Sequence, residues 1–214
     1  MGDDSSVRIL TIVFLVAVPA CDVGPSAPAT DGGNASGDAA AGGVDAAIGG
    51  GADAPMALID ARNDEPPGLA GITALHNQVR AMVGVAPLVW DPDLAAVAQA
   101  WADQCVDVQA PIGLVDHNAG RSDNYPGYVG ENIYGSGGSA TPQGAVSLWA
   151  AEEANYDYAS TTCATGKTCG HYTQLVWGTT QRLGCGLSNC AGLTYGSTIV
   201  CDYSPGGNTG GRPY

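Results

Sequence analysis

Along this chain the spacing of apolar residues changes character from one end of the folded region to the other. From Leu69 they recur at three to four residues, through Ile72, Leu75, Val79 and Met82, which predicts one helix face ended by Gly84. The stretch "WDPDLAAVAQAWADQC" predicts a second helix. Asp91 is placed to cap it, Pro92 suits its first turn, and Leu94, Val97, Ala98, Trp101 and Cys105 share its inner face. Thr141 and Pro142, followed by Val146 and Trp149, signal a third helix. Beyond it the period shortens to that of strands: Gly170 to Thr179 and Thr194 to Tyr203 alternate, and Leu183 to Leu187 is a further candidate. Helices first and strands later, without regular βα alternation, predict an α+β domain with a mostly antiparallel sheet.

Composition divides the chain before that domain begins. The whole has 214 residues and is 45% hydrophobic, but its 32 glycines and 13 prolines are unevenly placed. From Asp22 to about Pro67 the sequence runs to Ala, Gly, Asp, Ser and Pro, with no Lys or Arg between Arg8 and Arg62. Aspartates recur through Asp31, Asp38, Asp45, Asp53 and Asp60, yet no apolar heptad accompanies them, so the segment is not a coiled coil. It has too little apolar surface to offset its ordering entropy and reads as a disordered acidic tether over residues 22–67, ahead of a domain at 68–214. Upstream, Ile9 to Ala17 is apolar but too short for an ordinary membrane-spanning helix. It leads into "VPAC", which resembles the lipobox of bacterial lipoproteins, where the cysteine is diacylated and becomes the first mature residue. Residues 1–21 therefore read as a lipoprotein signal segment ending at Cys21, with plain signal-peptidase cleavage and free secretion as the alternative. Asp3 and Asp4 stand where such signals carry positive charge; a start at Val7 would give Met-Arg-Ile-Leu and remove them.

Charge and cysteines narrow the partners. A net charge of −14 and a pI near 4.1 exclude nucleic acid, which needs a basic surface, and docking on anionic lipid by charge alone. Of seven cysteines, Cys21 stands apart from Cys105, Cys163, Cys169, Cys185, Cys190 and Cys201. The six predict disulfides formed in an oxidising compartment, extracellular or in the cell envelope. A thiolate metal cluster is the competing reading, but none of the six stands in a C-x-x-C pair.

The candidate chemistry lies in four side chains. His171, among only three histidines, heads the predicted strand in "GHYTQLVWGTTQRLGCG", with Leu175 and Trp177 on one side and Tyr172 and Val176 on the other. His117 follows Asp116 before a Gly- and Asn-containing loop, and Glu131 sits among apolar residues in "YVGENIYG". Glu152 lies three residues past Trp149, on nearly the same helix face. Neutral imidazole and carboxylate both suit zinc, although each of the four also fits a surface or hydrogen-bonded core position. His76, beside Asn77 in the first helix, reads as structural. Trp90, Trp101, Trp149 and Trp177 read as core or cleft wall, and Tyr125 and Tyr128 as cleft rim or solvated loop.

Several ordered blocks resemble the CAP superfamily of cysteine-rich secretory proteins, insect venom antigen five and plant pathogenesis-related proteins. They are "LHNQVRAMVGVAPLVWDPDLAAVAQAWA", "GENIYG", "LWAAEEANYDY" and "GHYTQLVWGTT", followed by a closing "VCDYSPGGNTGGRPY" in which Asp202 and Thr209 depart from the family's pattern. The resemblance implies a three-layer α-β-α sandwich with a central cleft lined by His117, Glu131, Glu152 and His171, able to hold zinc or another divalent ion. The imidazoles would be the direct ligands and the glutamates would act through water or as partners of the ligands. Asn118 stands where many relatives have serine. The resemblance also implies the pairs Cys105–Cys190, Cys163–Cys169 and Cys185–Cys201.

Functionally it implies a binding module at the cell surface, taking a metal, a sterol or fatty acid, or a surface partner. A hydrolase of protease type, using the metal or a histidine–glutamate pair to activate water, is the rival, and a purely structural surface protein is a third reading. There is no G-x-S-x-G elbow and no H-E-x-x-H helix, and paired cysteines leave no thiol nucleophile, so the sequence favours binding over catalysis.

Overall fold

Asp91 opens the second helix as its position predicts: its Oδ1 accepts the N–H groups of Asp93 at 2.9 Å and Leu94 at 3.1 Å. This caps α2 (Pro92–Ala102) in a computed structural model that describes residues 64–214. The signal segment, Cys21 and all but the last few residues of the tether lie outside the described residues. The third predicted helix, α3 (Pro142–Ala151), is capped in the same way, Thr141 Oγ1 accepting the N–H of Gly144.

The first helix is shorter than its apolar spacing predicts. Leu69 belongs to a separate 3-10 turn, Pro67–Leu69, and α1 runs Ile72–Met82. Gly71 at its N-terminus has a positive φ of 86°, which glycine adopts without strain, and Glu65 reaches over to accept the N–H groups of Gly71 and Thr73. Met82 is exposed, not buried, and Val97 and Trp101 of α2 are only half-buried. The inner face of α1 is instead completed by His76 and Arg80, both 0% exposed.

A four-stranded sheet lies between the helices in the order β1 (Val89–Trp90), β5 (Arg182–Asn189), β6 (Ser197–Ser204), β2 (Gly130–Ser136). β1 runs parallel to β5, and the other pairings are antiparallel. A separate hairpin joins β3 (Tyr156–Asp157) to β4 (Thr162–Cys163). Alternation along β5 and β6 divides the core in two. Leu183, Cys185, Ile199, Cys201 and Tyr203 pack with Ile72, Trp149, Tyr172 and Leu175, whereas Val200 packs with Ala98, Ala102 and Ile133 under α2. Gly184 and Gly186 allow α2 to lie against the sheet, since a Cβ at either would fall within 2.4 Å of its backbone. The result is a helix–sheet–helix sandwich, the α+β class and layering expected.

Gly170–Leu175 and β2 also differ from their sequence reading. Gly170–Leu175, predicted as a strand, is a short helix, α4. Tyr172 through Trp177 are consecutively buried, so no alternation of exposure exists to favour a strand, and an apolar run of this length is ambiguous by period alone. β2 was not predicted. Its Gly, Glu and Asn have weak strand preference, and the segment extends because seven of its residues pair in register with β6.

The six domain cysteines join as Cys105–Cys190, Cys163–Cys169 and Cys185–Cys201, the pairs that the resemblance implies. Cys185 and Cys201 are direct register partners on β5 and β6, and Cys163–Cys169 closes a loop against the start of α4.

Candidate functional site

Each cleft histidine is placed by its own set of backbone contacts. His117 follows a loop held shut by Asp116, whose carboxylate accepts the N–H groups of Val108 and Gln109. Trp101 Nε1 donates to the Asp116 carbonyl at 2.7 Å, tying that loop to α2. His171 sits in the first turn of α4. Asn132, from β2, donates to the His171 carbonyl at 3.1 Å and to the Tyr203 hydroxyl at 3.2 Å. Tyr203 in turn meets His76 Nε2 at 2.9 Å, while His76 Nδ1 donates to the Ile72 carbonyl. His76 is thus the structural residue that its context predicts, and burial, the largest influence, pulls its pKa down to about 4.

The predicted quartet resolves into two histidine–glutamate pairs. Glu131 Oε1 lies 2.6 Å from His117 Nδ1 and also accepts the N–H of Asn118. Glu152 Oε1 lies 2.6 Å from His171 Nδ1, and its Oε2 accepts the backbone N–H groups of His171 and Tyr172. Glu152 does not continue α3; it begins the 3-10 turn Glu152–Asn155, and that bend brings its carboxylate to the start of α4. Partial burial raises the Glu152 carboxyl, but the hydrogen bonds and charge of His171 and the two backbone donors outweigh it and leave the pKa lowered. The His171 ring stacks on Trp149, centroids 6.4 Å apart and 20° from parallel.

A carboxylate on Nδ1 commits that nitrogen as donor and, in the neutral ring, leaves Nε2 with its lone pair. Neither Nε2 has a hydrogen-bond partner among the described residues. Both rings line one cavity of about 570 Å³, walled by Pro111, Leu114, Val115 and Ile133 and rimmed by the exposed Leu148 and Tyr195. The glutamates stand behind the histidines: the Glu131 side chain is wholly buried and Glu152 has committed both oxygens. Among the described residues no three His, Cys, Asp or Glu side chains gather closely enough to enclose a metal ion. Two carboxylate-held imidazoles are donors of the zinc type in kind, and a cation held by them would need its other ligands from water or a bound molecule.

Tyr125 and Tyr128 do not line this cavity. Tyr125 donates its hydroxyl to Asp91 Oδ2, and Arg121 lies over the Tyr128 ring. Sequence reasoning passed over Asn132, because the adjacent polar pair Glu131 and Asn132 interrupts the apolar alternation that marks a half-buried strand. Of Asp202 it noted only the departure from the family's pattern; the residue is fully buried on β6 opposite Glu131.

Fold and cleft together define a small disulfide-stapled α-β-α domain with two glutamate-backed histidines in an open groove. The model of the CAP, or cysteine-rich secretory protein, family matches residues 73–203, and the chain belongs to that family. It is 42% identical over 142 residues to pathogenesis-related leaf protein 4 of Solanum lycopersicum, covering 66% of this chain and 80% of the relative. Pathogenesis-related protein 1A of Nicotiana tabacum is 43% identical over 141 residues, covering 65% and 76%. Among solved structures, venom allergen-like protein 4 of Schistosoma mansoni superposes with a TM-score of 0.52 at 29% identity, over 70% of this chain and 95% of that one. The crystal structure of NaASP2 with Zn²⁺ shares the fold, with a TM-score of 0.54 at 24% identity over 70% and 88%.

Proposed function

We propose that the domain is a binding module whose cleft takes a zinc-type divalent cation through the Nε2 atoms of His117 and His171. The observation that carries this reading is that both imidazoles line one cavity while each Nδ1 is held on a carboxylate at 2.6 Å. Such outer partners fix ring orientation and raise ligand basicity. A bound ion would supply Lewis acidity and an exchangeable position for an anionic or carbonyl group. The aliphatic wall of Pro111, Leu114 and Ile133 suits the apolar body of a sterol or fatty acid beside it. Hydrolysis through a protein nucleophile is the weaker reading: no hydroxyl bonds either Nε2 among the described residues, and all six domain cysteines are in disulfides.

Three disulfides suit an oxidising compartment outside the cytoplasm. A diacylated Cys21 would anchor the chain in the cell envelope, with the acidic tether holding the domain off the membrane. Mass spectrometry of the mature protein tests this: an unmodified Cys21, or a mature N-terminus elsewhere, defeats the anchor.

Zinc titration by calorimetry tests the cleft. Saturable binding at neutral pH is expected, lost in His117→Ala and in His171→Ala, and weakened at acid pH because ligation requires neutral imidazole. No heat of binding by the wild type, or undiminished binding by both variants, would overturn the reading and leave a structural surface protein.

A further inference from the structure

β2 and β6 set Glu131 directly opposite Asp202. Opposed residues of an antiparallel pair share a face, with Cβ atoms about 4.5–5.5 Å apart. Here both are carboxyls out of reach of water: Asp202 is 0% exposed and so is the Glu131 side chain. On its other flank Asp202 faces Gly184, which has no side chain to offer. Three buried oxygens, Glu131 Oε2 and both of Asp202, have no N–H donor among the described residues. Arg121, the cation whose charge reaches Asp202, donates instead to the carbonyls of Val129 and Asn118 and to the Tyr128 hydroxyl.

Two ionised carboxylates cannot stand face to face in such surroundings, because desolvation and like charge both oppose it. One proton between them removes the conflict, since a protonated carboxyl is a donor. We propose that Asp202 is a positioning residue of the cleft: as the acid it donates its O–H to Glu131 Oε2, and so keeps Glu131 Oε1 on the Nδ1–H of His117. Burial first, and the charge of Glu131 second, push the Asp202 carboxyl up to about 8, which keeps it protonated at neutral pH.

The chain Asp202–Glu131–His117 then gives Glu131 Oε2 a donor, makes one Asp202 oxygen that donor, and presents His117 Nε2 to the cavity as an acceptor. Its consequence for ligation rests on the proposed cation-binding role of His117, whereas the hydrogen-bond chain itself needs no metal.

NMR of the full chain without metal separates the two. In the wild type at neutral pH the carbon signal of the Asp202 carboxyl is expected to be that of the acid, and the His117 nitrogen shifts those of the Nδ1–H tautomer. Asp202→Asn retains that tautomer, because its amide N–H donates to Glu131 Oε2. Asp202→Leu removes the donor, lets the His117 tautomers mix, and lowers zinc affinity roughly tenfold or more. An ionised Asp202 in the wild type, or a His117 tautomer unmoved in Asp202→Leu, overturns the proposal. Should Asp202→Leu fail to fold, the wild-type carboxyl signal and the Asp202→Asn tautomer decide it. If the wild type binds no zinc, the cation reading fails, and the tautomer measurements still judge the role of Asp202.

Discussion

His171 and Glu152 meet twice: Glu152 Oε1 lies 2.6 Å from His171 Nδ1, and Oε2 takes the backbone N–H of the same histidine at 2.9 Å. One carboxylate therefore orients the ring and fixes the first turn of the helix that carries it. Glu152→Gln keeps the shape but loses the charge that strengthens both contacts. Zinc affinity is expected to fall roughly tenfold or more, and stability by about 1 kcal/mol. Calorimetry and urea denaturation measure the two, and a variant that loses stability with zinc affinity intact would show that Glu152 serves the fold alone.

Asp202 makes the domain less stable as pH rises. Its folded pKa, about 8, lies above the ordinary carboxylate value of 3.8, so folding takes up a proton between those values. The linked stability is full below about pH 4 and is lost as pH rises toward 8, at about 1.4 kcal/mol per pH unit at most. Asp202→Asn should be more stable than wild type at neutral pH, with the gain shrinking as pH approaches 4. Denaturation curves at several pH values check this.

His76 acts in the opposite direction. Its pKa is drawn from 6.5 to about 4, so the fold keeps the neutral ring and the unfolded chain takes the proton first. The stability linked to it is present above about 6.5 and is lost as pH falls toward 4. His76→Gln should cost about 1–3 kcal/mol at neutral pH through the buried Tyr203 and Ile72 contacts, and should flatten that acid loss.

Arg80 is buried with no carboxylate partner among the described residues, and its guanidinium donates to the carbonyls of Ala86, Leu175, Trp177 and Thr180. It clamps the end of α4 to α1. Arg80→Met strands those carbonyls and is expected to cost more than about 3 kcal/mol by urea denaturation. Arg80→Lys should recover little, because a single ammonium cannot span the fork.

The helical half of the fold is legible because its signals are local. Asp91 with Pro92 and Thr141 with Pro142 mark helix starts, and the caps form within three residues of chain. The wrong assignment at Gly170–Leu175 has a local cause as well. Tyr172 to Leu175 are buried one after another and leave no exposure pattern to read, and the helical form depends on Glu152 receiving its first N–H groups from outside the element. Arg80 escaped notice because a charged residue on an apolar face looks like an interruption until its carbonyl partners, distant in sequence, are in place.

The sequence by itself determined the α+β class, the six paired cysteines and the identity of the cleft histidines. Only the tertiary structure decided that the four ionisable groups form two pairs, that β2 exists, and that Asp202 stands against Glu131. Periodicity and capping report which residues of one element share a side. Which carboxylate faces which imidazole is set by sheet register and layer packing, and these join positions that have no contact until the chain has folded.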